Sequence, residues 1–143
     1  MTGSAARMAT KAEFHKMAPQ IAESKAKTWI TRGGNFAIAV SEVEPGAVLA
    51  RQNDPEEHMV IVPPDGAALS IAAGGKTIEA QPDSLTIVPP GASTIIAKSG
   101  GLFAQIYSKA SQDIMALASN AATYADGAPE LAPPDLWPAP HDG

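Results

Sequence analysis

Cysteine is absent from this 143-residue chain. That excludes disulfides, thiolate metal sites and a thiol nucleophile, and it fits a reducing compartment. Basic runs are absent too, as is any interleaving of basic with aromatic residues, and the net charge is −5. Nucleic acid therefore finds no complementary surface. No stretch approaches the roughly 18 apolar residues of a membrane span. The opening residues are small and polar with one charge at Arg7, and no apolar signal-peptide core follows them. These absences lead to the expectation of a cytoplasmic protein that meets neither membrane nor nucleic acid.

What is present is ordinary for a folded domain: 45% hydrophobic and 17% charged residues. A chain of this length forms one domain and buries about 68–70% of its unfolded surface. Residues 1–26 read as a helical segment. Thr10 and Glu13 stand at capping-box spacing, Phe14, Met17 and Ile21 follow at helical spacing, and Pro19 splits the pattern. Residues 27–109 change texture. Nine runs rich in Ile, Val, Thr and aromatics (27–32, 35–43, 47–52, 57–62, 67–72, 76–80, 84–88, 93–98 and 102–108) alternate with Gly- and Pro-containing turns. Nine short strands with no helix between them specify a sandwich or a barrel. Residues 110–126 predict a second helix, capped by Ser111, with Asp113 at its positive end and a stripe of Ile114, Leu117 and Ala121 or Ala122. Residues 127–143 form a Pro-rich arm. Its Leu131, Leu136 and Trp137 suit docking on a barrel surface; the alternative is a linker.

The stretch 45–91 resembles the two motifs of the cupin superfamily. The first motif runs from Pro-Gly through a spacer, His-x-His and Glu into a strand ending in Gly. Here stand Pro45-Gly46, Glu57-His58-Met59-Val60-Ile61-Val62 and Gly66. The second runs from Gly-Asp through an apolar strand to Pro-x-Gly and then His. Here stand Pro82-Asp83, an apolar strand, Pro89-Pro90-Gly91 and, at the last position, Thr94. The resemblance implies an all-β, double-stranded β-helix (jelly-roll) barrel with short flanking helices at both termini. It also implies a metal held by histidines, and those are missing. Spacing from Gly46 puts the paired ligands at Gln52 and Asp54; spacing from Glu57 puts them at Ala50 and Gln52, or at Arg51 and Asn53. One carboxylate among Gln, Asn and Thr is a poor set for a divalent transition metal. No metal and no cofactor are expected.

Of the matched residues, Glu57 is expected inside the barrel with Met59 and Ile61, and Thr94 across from it. A lone carboxylate there is desolvated and suited to general acid–base work; alternatively it pairs with Arg51 or sits at the rim. His58 then faces the other side of the sheet, open to a dimer interface. A register slip of one residue exchanges the two, and Gln52, Asp54 and His58 then form a makeshift metal or acid–base cluster. Arg51 and Arg32 are candidate anchors for an anionic ligand, or plain structural ion pairs. Thr94 and Gln105 are candidates for lining the cavity, and Trp29 for the core. Gly74-Gly75 and Gly100-Gly101 precede no helix and are hairpin turns, not phosphate loops.

The combined reading is a metal-independent cupin-like domain that binds a small organic molecule in its barrel or serves as a dimerisation or assembly module. A homodimer is expected from the resemblance. The alternative is a metal-free epimerase, isomerase or lyase using Glu57 or His58; a metal-dependent oxygenase or decarboxylase comes third.

Overall fold

The computed structural model describes residues 9–124. Among the described residues there are ten strands: β1 (Ile21–Ala22), β2 (Ala26–Arg32), β3 (Phe36–Val43), β4 (Val48–Asp54), β5 (His58–Val62), β6 (Leu69–Ala73), β7 (Lys76–Ala80), β8 (Ser84–Val88), β9 (Gly91–Ala97) and β10 (Gly101–Ser108). They form two antiparallel sheets, ordered β1-β2-β3-β10-β5-β8 and β4-β9-β6-β7. The nine expected strands are all found, two of them (76–80 and 84–88) with the expected ends and the rest with ends shifted by at most two residues. The turns form where residue chemistry allows them. Gly74 and Gly75 have φ of +58° and +75°, with Ala73 opposite Lys76. Two successive positive-φ residues make a turn whose twist matches the strands it joins.

The inner faces meet as a jelly roll with two apolar clusters. One gathers Val43, Val60, Val62, Leu69, Ile71, Ile95 and Phe103. The other joins Ile30, Ala37, Ala39 and Tyr107 to the helix α1 (Gln112–Leu117), which closes that end of the barrel with Ile114 and Met115. Between the clusters runs a polar waist of buried Thr28, Ser41, Asp54, His58, Ser93 and Gln105. Buried polar groups must find partners, and Thr28 Oγ1 and Ser41 Oγ find each other at 2.8 Å.

The outer edge of β2 is covered by short pieces. β1 pairs only with Lys27 and Thr28. Beyond it, the Ile30 amide donates to Gln20 Oε1 at 2.7 Å. The Arg32 amide donates to Asn120 Oδ1 at 3.0 Å, and Asn120 Nδ2 donates back to the Arg32 carbonyl at 2.8 Å. Side-chain amides thus stand in for a neighbouring strand and block edge pairing.

Expectations at both ends of the chain are corrected. Residues 10–26 form no helix: a 3₁₀ turn at Phe14–Lys16 leads into β1. Glu13 makes no capping bond, and its carboxylate instead pairs with Lys11 at 2.9 Å and Lys16 at 2.7 Å. Pro19 supplies no amide for a helix to continue. The segment is tied to the outside of β2, where Trp29 Nε1 donates to the Met17 carbonyl at 2.8 Å. Trp29 is therefore half-buried under the N-terminal segment rather than in the core. At the other end, α1 stops at Leu117, and a 3₁₀ turn at Ala121–Tyr124 follows. Its buried stripe is Ile114, Met115 and Ala118, while Leu117 is exposed. Ser111 makes no side-chain cap. The arm at 127–143 lies outside the described residues. Among the described residues, no helix is long and apolar enough to cross a membrane.

Candidate functional site

The site grows from an irregularity in β4. Arg51 lies opposite Ser93, yet Asp54 lies opposite Gly91. Three steps on β4 match two on β9, so β4 carries a bulge. Gln52 and Asn53 both face solvent, and Asp54 turns inward to 1% exposure. Without the bulge, strict alternation from Arg51 would point Asp54 outward.

Asp54 is held by Arg51. The guanidinium donates from Nε at 3.0 Å and from Nη2 at 2.6 Å to Asp54 Oδ1. Its Nη1 and Nη2 also donate to Asp113 at 2.6 and 3.0 Å, tying β4 to α1. A forked, planar cation suits two carboxylates at once. The hydrogen bond from Arg51 holds the Asp113 carboxyl below its ordinary value. Asp113 foremost, with Asp54, pushes the guanidinium further up against the opposing effect of burial. Arg51 is thus permanently charged and already matched by two carboxylates.

His58 opens β5 and points inward, 2% exposed. Its ring stacks on Tyr107, with centroids 4.6 Å apart, and the Arg51 guanidinium lies 5.2 Å from the centre of the same Tyr107 ring. Gln105 Nε2 donates to His58 Nε2 at 3.1 Å. A neutral imidazole accepting at Nε2 carries its proton on Nδ1, and Nδ1 faces Asp54 Oδ2 at 3.6 Å. Burial pushes the His58 imidazole below its usual value; Asp54 opposes that shift and Arg51 adds to it. Burial likewise pushes the Tyr107 phenol well up.

Next to this cluster is a cavity of about 120 Å³. Its walls are mostly apolar, from Ile30, Ala39, Leu49 and Ile114, with Thr28, Arg51, Gln105 and Tyr107 as polar or aromatic contributions. Glu23 stands among its lining residues as well.

Several expectations change here. Glu57 precedes β5 and is exposed, so it does not point into the barrel; His58, Val60 and Val62 do, and Met59 and Ile61 face outward. Thr94 is half-buried on the outer face, while Ser93 is buried within. Gln52 is exposed on the bulge. Arg32 is remote from the cluster: its Nε donates to the Gly33 carbonyl and its guanidinium lies over Tyr124. The structure brings together Arg51, Asp54, His58 and Gln105, and adds Tyr107 and Asp113. Tyr107 was legible as the inward residue two beyond Gln105. Asp113 was read only as a helix-terminus charge, because nothing in the sequence ties it to Arg51.

A metal does not fit this donor set. Structural and catalytic sites take three or four protein ligands. Here Asp54 and His58 are the carboxylate and imidazole of the waist, one Asp54 oxygen is held by Arg51, and a guanidinium cation sits beside them. Among the described residues no three His, Cys, Asp or Glu side chains come together to hold a metal ion.

No protein-family model and no curated protein matches the chain. Solved structures do. KdgF from Halomonas sp. superposes with a TM-score of 0.60 at 15% identity, over 71% of this chain and 94% of that one. An RmlC-like cupin from Shewanella frigidimarina gives 0.60 at 12%, over 71% and 92%. A cupin superfamily protein from Desulfitobacterium hafniense gives 0.53 at 13%, over 62% and 81%. At such identities the likeness speaks of backbone architecture alone, and it agrees with the two-sheet jelly roll and with the motif remnants at 45–91. This chain has the cupin fold.

Proposed function

We propose that this chain is a metal-independent cupin-like module that binds a small, uncharged organic molecule in its barrel. The observation that carries the reading is the cavity of about 120 Å³ beside the polar waist. Size sets the ligand class. An apolar cavity of about 150 Å³ accommodates benzene, whereas drug-sized ligands need about 300–1,000 Å³. The ligand has on the order of five or six non-hydrogen atoms. Charge narrows it further. Arg51, the cation among the cavity's lining residues, already donates four hydrogen bonds to Asp54 and Asp113, and Glu23 adds a carboxylate to the lining. An anion gains little from a guanidinium so occupied. A neutral carbonyl or alcohol can use the remaining Arg51 N–H and the Gln105 amide.

Ligand-observed NMR with small alcohols, ketones and lactones, alongside the matched carboxylates, tests this. Neutral members bind and carboxylates do not. Ala39→Leu, which fills the cavity, abolishes binding while the fold persists. Binding that ignores Ala39→Leu, or a preference for the carboxylates, overturns the reading.

A second reading rests on the Asp54–His58 pair. A neutral buried imidazole backed by a carboxylate is the arrangement of a general base. It ranks behind binding because Gln105, not His58, stands on the cavity wall. An isomerase-type reaction through this pair requires His58→Gln to abolish turnover while ligand binding survives.

A further inference from the structure

The outward face of the six-stranded sheet carries two apolar rows. One runs Ile87, Met59, Ile106, Ile38 across β8, β5, β10 and β3; the next runs Leu85, Ile61, Ala104, Val40 across the same strands. No charged residue interrupts either row. The N-terminal segment reaches this face at Trp29, on the β2 side. It leaves Leu85 55% exposed and Ile87 49%. Solvated sheet faces alternate polar residues outward, so these rows suit a cover. A groove of about 410 Å³ runs where Phe36, Met59, Ile87 and Ile106 meet. Glu57 is the carboxylate of its lining, and the buried His58 and Tyr107 back it.

We propose that residues 125–143 of this same chain cover that face as a polyproline helix. Their chemistry is complementary to it. They include five prolines, four carboxylates and no lysine or arginine. A polyproline helix repeats every three residues, so Ala128, Leu131, Pro134, Trp137 and Pro140 share one edge. All five are apolar. Asp126, Glu130, Asp135 and Asp142 fall on the other two edges. The apolar stripe can therefore enter a groove bordered by Glu57 while every carboxylate of the arm stays in water. Pro-rich segments dock in aromatic-lined grooves in this manner, and Phe36 supplies the ring here.

Dimensions agree too. Successive stripe residues stand about 9.3 Å apart along a polyproline helix, and alternate strands of a sheet stand about 9.6 Å apart. A chain crossing the strands thus sets one anchor on every second strand. The point of departure is also right. Tyr124, the last described residue, lies 4.3 Å from the Arg32 guanidinium. The turn after Arg32 closes with the Gly33 amide donating to the Phe36 carbonyl at 2.9 Å, so the groove begins one turn away. Leu131 is the seventh residue after Tyr124, about 22 Å of polyproline chain. The width from β2 to β8 is about 19 Å. Prolines lack the amide that a further strand beside β8 would need, so the arm lies across the face rather than along its edge.

Methyl NOE spectroscopy on the full chain tests this, with isotope filtering in a mixture of labelled and unlabelled protein. The Trp137 indole is expected to contact the Met59, Ile87 and Ile106 methyls within one molecule. Glu130→Leu/Leu131→Glu keeps the composition, breaks the stripe and abolishes these contacts. Ile87→Lys, on an edge strand and pointing to solvent, abolishes them with unchanged circular dichroism. Val48→Lys on the other sheet leaves them intact. The cavity lies on the inner side of the sheet, so the arm and the ligand site are independent. Absence of the Trp137 contacts, contacts found only between molecules, or contacts that survive either of the first two variants overturns the proposal.

Discussion

His58 Nδ1 faces Asp54 Oδ2 across 3.6 Å, and neither atom has a hydrogen-bond partner among the described residues. The two are aimed at each other with the imidazole neutral, its Nε2 occupied by Gln105. Protonating His58 in this buried position is disfavoured.

A pH dependence follows with a definite sign. The unfolded chain's histidine titrates near 6.5, and the folded one lower. As pH falls through that window the unfolded state takes up the proton first, so stability present above pH 6.5 is lost on acidification. Urea midpoints of the wild type fall between pH 7 and pH 5, and those of His58→Gln fall less. Parallel loss in both proteins excludes His58 as a source.

Arg51 and Asp113 separate a buried contact from an exposed one. Arg51→Met strands a carboxylate that is 1% exposed, and losing one partner of a buried ion pair costs about 3–5 kcal/mol. Asp113 is 63% exposed, so Asp113→Asn costs less than about 1 kcal/mol. In Arg51→Met/Asp54→Asn the loss is smaller than the sum of the single losses, because the stranded charge is gone. Denaturant unfolding of the wild type, Arg51→Met, Asp54→Asn, Asp113→Asn and the double variant reads these losses, and equal losses at Arg51 and Asp113 contradict this assignment.

The strands were legible in the sequence because turn chemistry marks their ends; the faces of β5 and β9 were not. Glu57-His58-Met59-Val60-Ile61-Val62 alternates apolar residues on both sides, so Met59 and Ile61 suit the core as well as Val60 and Val62 do. The ambiguity has a physical cause in the apolar outer face. The bulge at Gln52–Asn53 has no composition signal, so spacing could not select Asp54 over its neighbours. Thr94 was placed by motif position, whereas the pairing of Arg51 with Ser93 turns Ser93 inward. Tertiary ties such as Arg51–Asp113, 62 residues apart in sequence, leave no local trace.

The donor set at the waist has a consequence for metal loading. After incubation with zinc, iron and manganese, elemental analysis finds no stoichiometric metal. Near-equimolar metal that is lost in Asp54→Ala or His58→Ala reverses the conclusion that the set does not fit.

The most direct measurement is amide and methyl chemical-shift mapping of the full chain titrated with a small neutral ketone or alcohol. The expected result is saturable shifts confined to the cavity walls, at Thr28, Ile30, Ala39, Gln105, Tyr107 and Ile114, absent in Ala39→Leu. Shifts confined to other surfaces, or none at these residues for any neutral compound of that size, contradict a ligand site in the barrel.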